Sequence, residues 1–136
     1  MQYSCSITPP DIQKLLPHEI FVFGSNLAGR HGAGAAKLAY QKFGAEMMVG
    51  VGRKGNSYAL PTKDYSITTL PLSAIKYYVD KLYKYITVNP ELTFLITEVG
   101  CGLAGYIPAD IAPLFKDFIH LNNCSLPKSF IDIITE

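Results

Sequence analysis

At 136 residues the chain has the length of one compact domain, so a single domain over residues 1–136 is expected. Apolar residues make up 49% of it and charged residues 17%, which excludes a disordered chain and supplies a sizeable core. Twelve basic against eleven acidic residues leave a formal charge of +1, so no broad field draws in duplex nucleic acid.

The three cysteines, Cys5, Cys101 and Cys124, are odd in number and form no Cys-x-x-Cys pair. That pattern fits neither a disulfide framework nor a zinc site and predicts a reducing, cytoplasmic setting. The start of the chain lacks a basic stretch followed by an apolar one, and no apolar run nears the roughly 18 residues a membrane span needs. No membrane association is expected.

In chain order, "CSIT" reads as a short first strand and "PPDIQKLLPHE" as a turn leading into a brief helical segment. "EIFVFGS" is a continuous apolar run ending in Gly-Ser, the pattern of a strand buried on both faces. Residues 33–43 carry Ala36, Leu38, Ala39, Tyr40 and Phe43 at helical spacing, with Gly44 as the terminating glycine. "GVGRKGNS" reads as a mobile loop whose tip presents Arg53 and Lys54, and "NSYALPTK" as a strand stopped by Pro61. The longest helix follows, with Ser73 as N-cap and a stripe of Ile75, Tyr78, Val79, Leu82, Tyr83 and Ile86, ending at Asn89-Pro90. "LTFLITEVG" predicts another buried strand, residues 108–120 a third helix with Pro108 at its first position, and "KSFIDIIT" a closing strand. Tyr77, Tyr78, Tyr83 and Tyr85 share the long helix and read as packing residues.

Strands alternating with helices predict a three-layer α/β/α domain with a mostly parallel central sheet. Ligands of such sheets bind beyond the carboxyl ends of the strands. Two glycine clusters fall there: "GSNLAGRHGAG" after the first buried strand and "GCGLAGY" after the second. Glycine allows positive φ and removes the Cβ, so consecutive amides can turn toward an anion, and a helix N-terminus adds free N–H groups. Each cluster alone reads equally well as a tight turn that lets a helix pack on the sheet. The first lacks the Gly-Lys-Ser/Thr of a Walker loop, and Lys37 stands where the dinucleotide fingerprint needs a small residue, which disfavours a dinucleotide oxidoreductase. Two such clusters after two buried strands, however, can clamp one extended ligand from both sides.

"NLAGRHGAGAAKLAYQKFG", "KGNSYALPTK" and "ITEVGCGLAGY" resemble, in order and spacing, the ligand-binding loops of macrodomains, which recognise ADP-ribose. The likeness spans roughly residues 6–120 and is greatest to the branch that includes the terminal ADP-ribose protein glycohydrolase. It implies ADP-ribose, free or protein-attached, lying across the strand ends without metal or cofactor. Gly32, Ala33 and Gly34 would then approach the diphosphate, and Gly100, Cys101, Gly102, Leu103, Ala104 and Gly105 would form the facing phosphate loop. Asn26 would sit near the distal ribose and Asp11 at the adenine amino group. Tyr106 is placed to cover the distal ribose or the adenine.

The resemblance also implies that Lys63 is a nucleophile toward the anomeric carbon, chemistry open to a lysine amine whose pKa burial lowers. The resembling hydrolase has an Asp directly after Gly-Cys-Gly-Leu, where this chain has Ala104. Loss of that acid removes a proton-transfer factor of about 10² to 10⁴. Glu98 is the substitute acid/base candidate, with a pairing to Lys63 or Lys54 or a loop-holding role as the alternative. A non-catalytic reader of an ADP-ribose-type signal is the rival function. His31 reads as solvated, Cys101 as a small packing residue, and His18 and His120 have no neighbours at metal-ligand spacing. Oligomeric state is left open.

Overall fold

The computed structural model describes residues 3–136. Its organising strand is β2 (Glu19–Asn26), in which Ile20, Phe21, Val22 and Phe23 are all at most 2% exposed. Alternation along the strand sends Ile20 and Val22 into one core and Phe21 and Phe23 into the other. A strand can bury both faces only between two helical layers, which is why its sequence is apolar without interruption.

Parallel ladders flank β2 on both sides. β4 (Ser57–Lys63) pairs with it from Phe21↔Ser57 to Asn26↔Lys63, and β5 (Thr93–Ile96) from Glu19↔Thr93 to Val22↔Ile96. Beyond β5 lie β6 (Cys124–Leu126) and then β1 (Ser6–Ile7), both parallel. Beyond β4 lies β3 (Gly52–Lys54), antiparallel across a tight hairpin. The strand order is therefore β1-β6-β5-β2-β4-β3.

One face carries α1 (Gly34–Lys42), whose Ala36 and Ala39 pack with Phe43 against Phe21 and Phe23. The other carries α2 (Leu72–Thr87), whose Ile75, Val79, Leu82 and Ile86 are fully buried. Beside it sit α3 (Pro108–Ile111), the 3₁₀ stretch Ala112–His120 and α4 (Lys128–Ile134), contributing Ile111, Phe115, Phe118, Phe130 and Ile131. The fold is the expected three-layer α/β/α arrangement around a mostly parallel sheet. No helix among the described residues is long and apolar enough to cross a membrane.

Several local expectations are corrected. Residues 9–18 form no helical segment; Pro9, Pro10 and Pro17 withhold three amides, and Ile12 and Leu15 pack on the α1 side from an irregular chain. The Arg53–Lys54 stretch is β3 rather than a loop tip, with the Arg53 side chain hydrogen-bonded to the Gly55 carbonyl at 3.0 Å. Pro61 does not stop β4. Pairing with β3 has already ended at Ala59, so Pro61 lies where the strand is an edge on that side and needs no ladder amide. Pro71, not Ser73, is the N-cap of α2. β5 ends at Ile96, where the Thr97 hydroxyl turns back to the Val22 carbonyl at 2.7 Å. The third helix tightens to 3₁₀ from Ala112, next to Pro113, which can donate no helical bond. Finally, "KSFIDIIT" is helix α4. Adjacent Phe130 and Ile131 are both buried while Asp132 pairs with Lys128 four positions back, a helical rather than alternating pattern. The closing strand is β6, just before it.

Leu82→Ala empties a fully buried site between α2 and the sheet. Urea denaturation should report a loss of about 2–5 kcal/mol.

Candidate functional site

From β2 the chain passes through α1 on one face to β4; from β4 it passes through α2 on the other face to β5, on the opposite flank of β2. The turn leaving β2 leads to α1 on one face and the turn leaving β5 to α3 on the other, and a crevice opens between them at the carboxyl ends of the strands. A cleft of about 490 Å³ occupies this crevice, within the range of small-molecule sites. Gly24, Asn26, Gly32, Ala33 and Gly34 line it from the β2 side, and Glu98, Gly100, Cys101, Leu103 and Ala104 from the β5 side. Lys63 lines it from the end of β4.

The two glycine turns face each other. A Cβ built on Gly34, at φ +58°, would come 4.0 Å from the Leu103 side chain, and one on Gly24 would lie 3.5 Å from the Gly100 amide. Gly100, at φ +77°, also packs where a Cβ would strike Ile111 at 2.8 Å, so that turn closes only with glycine. α1 starts at Gly34 behind an extended Ala33 with no side-chain cap, and the first intrahelical bond reaches Lys37. The amides of Gly34, Ala35 and Ala36 thus point out of the helix end unpaired by the helix, and all three residues line the cleft. With the positive end of the helix dipole they form an acceptor-seeking surface suited to an anion.

The first turn is held by side chains that the sequence reading assigned elsewhere. The Asn26 carboxamide is spent at both ends on Arg30, donating to its carbonyl and accepting from its amide, each at 2.9 Å. Asn26 thus fixes the turn at the cleft floor. His31 is 1% exposed, which corrects the solvated reading. Its Nε2 lies 2.8 Å from the Glu46 carbonyl and 3.1 Å from that of Val49. Carbonyls only accept, so Nε2 carries the proton, and Nδ1 is buried without a partner. Phe23 meets the ring edge-on at 5.3 Å.

The cleft brings Lys63 and Glu98 to one lining, yet no ion pair joins them; the ion pairs among the described residues are the helical surface pairs Lys76–Asp80 and Lys128–Asp132. Glu98 is exposed rather than buried, and accepts a short hydrogen bond from the Ser129 hydroxyl of α4. The Ala104 carbonyl accepts from the Thr69 hydroxyl at 2.7 Å. Tyr106 lies outside the lining, its hydroxyl donating to the Leu70 carbonyl at 2.7 Å. Gly102 and Gly105, at φ +79° and +95°, shape the turn without lining the cleft. Asp11 is an exposed residue outside the lining, bonded to Gln13 at 2.6 Å. The reading of the sequence missed Arg30, Thr62, Ile67 and Thr97, which also line the cleft. Ile67 holds φ +61°, a left-handed conformation that costs a β-branched residue about 1–2 kcal/mol.

No family model matches the chain, and no curated protein matches it. Among solved structures, the macrodomain of Mycobacterium tuberculosis DarG matches over 93% of this chain and 98% of that one, with a TM-score of 0.62 at 16% identity. The chain has the macrodomain fold. At that identity the likeness fixes the arrangement of strands and helices. In this fold the two glycine turns leave the adjacent strands β2 and β5, at the switch point of the sheet.

Burial, with Glu98 and then Asp110 adding negative charge nearby, pushes the Cys101 thiol up to about 11. A raised thiol pKa keeps the sulfur protonated at neutral pH, so Cys101 serves as lining and not as a nucleophile. Mass-resolved alkylation by iodoacetamide should find Cys101 slow at pH 7.5 and accelerating as pH rises toward 11, whereas rapid labelling at neutral pH would mark it as an activated thiol.

Proposed function

We propose that the chain binds ADP-ribose or a closely related NAD-derived nucleotide in this cleft. The observation that carries the reading is the facing pair of glycine turns, with the uncapped start of α1 between them. A diphosphate accepts hydrogen bonds from every direction, and main-chain N–H groups supply donors without net charge, metal or cofactor. Gly32 to Ala36 take one side of the diphosphate, and Gly100, Cys101 and Leu103 the other. Arg30 and Lys63 add positive charge to the lining, so the cleft favours an anion although the whole chain is nearly neutral. The partner is a small nucleotide, free or attached to a protein, rather than duplex nucleic acid.

The same site supports removal of ADP-ribose from a carboxylate. Lys63, at the end of β4, attacks the anomeric carbon, and the bond from that carbon to the departing carboxylate breaks. Water then releases the sugar from the amine. Glu98 is the carboxylate on hand to move protons, held by Ser129. The reader alternative rests on Ala104: it lines the cleft, its carbonyl is engaged by Thr69, and its side chain can transfer no proton.

ADP-ribose at a hundredfold excess over its Kd should stabilise the fold by about 2.7 kcal/mol, read as a rise in melting temperature. Gly34→Val should abolish that rise, because the side chain enters the anion space opposite Leu103. An unchanged melting temperature with the wild-type chain overturns the binding reading. Lys63→Ala should retain binding while ending release of ADP-ribose from a modified carboxylate, measured by chromatography. If the wild-type chain releases none, the protein is a reader.

A further inference from the structure

We infer that Ile67 is a specificity-determining residue that selects ligands carrying a sugar at the Lys63 end of the cleft. The inference rests on the cleft being an ADP-ribose site and assigns a part of that site which the glycine turns do not make.

The loop between β4 and α2 is closed by Asp64. Its amide donates to the Thr68 carbonyl at 2.8 Å, its carboxylate accepts from the amides of Ser66 and Thr68 at 2.8 and 3.0 Å, and its carbonyl accepts from the Ile67 amide at 3.1 Å. None of these bonds uses the Ile67 side chain. Asparagine or glycine at position 67 would close the same loop without strain, because both tolerate the left-handed conformation that Ile67 is made to hold at φ +61°. Loop closure therefore does not account for an isoleucine here. Its place does: Ile67 lines the cleft, on the segment that leaves directly from Lys63. Strained backbone of this kind gathers at ligand clamps.

A second observation agrees. Ile67 and Leu103 are the large apolar residues of the lining that stay exposed, at 37% and 74%. The turns that carry them are tied together by the Thr69 hydroxyl on the Ala104 carbonyl. Ile67, on the segment that follows Lys63, and Leu103 thus give the cleft an apolar edge open to water. A ring whose C–H face covers that edge removes it from solvent. A nucleotide that ends at its diphosphate leaves that edge in water. The edge separates diphosphates that end in a sugar from diphosphates that end in phosphate.

Met48 provides the control. It too holds positive φ, at +70°, but it is 86% exposed, lies outside the lining, and packs against Gly29, to whose carbonyl its amide donates at 2.9 Å. Calorimetric titration of ADP-ribose and of ADP into the wild-type chain and into Ile67→Asn, Ile67→Leu and Met48→Asn reads the selectivity directly. Ile67→Asn should lower the ADP-ribose-to-ADP affinity ratio about tenfold, with a melting temperature no lower than wild type. Ile67→Leu should restore most of the ratio, and Met48→Asn should leave it alone. A ratio that does not move in Ile67→Asn, or a lower melting temperature in that variant, overturns the inference and returns Ile67 to the fold. A wild-type chain that binds neither nucleotide overturns the reading of the site and this inference with it, whereas binding without selectivity overturns this inference alone.

Discussion

Two parallel ladders meet on β2, and everything at the cleft depends on that. Because β4 and β5 both pair with it, β2 is enclosed on both edges, and because helices cover both sheet faces it is enclosed above and below. The β5 ladder ends at Val22 while the β4 ladder runs on to Asn26, so Gly24, Ser25 and Asn26 open at the cleft along one edge. The glycine turn that follows is thus mounted on the most constrained strand of the molecule. The facing turn is mounted on its neighbour, through the Thr97 hydroxyl bonded to Val22 and the Gly100 backbone packed beside Gly24. Loops hold a ligand well when their stems cannot move, and here both stems are strands of one ladder.

The buried polar residues serve the same end. Asn26 bonds the Arg30 backbone through both its oxygen and its nitrogen, His31 bonds the carbonyls of Glu46 and Val49, and Ser25 the Gly50 carbonyl. His31 and Ser25 tie the turn after β2 to the segment that precedes β3, and Asn26 braces the turn on itself. Removing such a partner leaves a buried group unsatisfied, a cost of about 1–3 kcal/mol, so this part of the rim is rigid. The opposing rim is built differently. Gly102, Leu103 and Gly105 are exposed and held mainly by turn bonds, together with the Thr69 and Tyr106 hydroxyls. A rigid wall faces a lighter one across the cleft.

The sequence disclosed what depends on period and composition. The apolar run of β2, the stripe on α2, Gly44 at the end of α1 and both glycine turns could be read because each follows from burial or from positive φ. What could not be read depended on partners distant in the chain. Pro61 sits inside a strand only because β3 is too short to reach it. α4 reads as a strand by its isoleucines, and becomes a helix because Phe130 and Ile131 fill one core together. His31 gives no local sign of the two carbonyls it finds fifteen and eighteen residues away. At the site, Lys63 was legible through resemblance and Glu98 as a charge near the end of a strand, whereas Ile67 and Arg30 reach the lining only by the course of their loops.

The sheet ends, on its two flanks, in strands of two and three residues, β1 and β3. A neighbouring chain seeking to extend the sheet would find very few open amides there, and on β3 it would meet the charges of Arg53 and Lys54. Edge-to-edge stacking into fibrils is thereby discouraged on both flanks of the sheet.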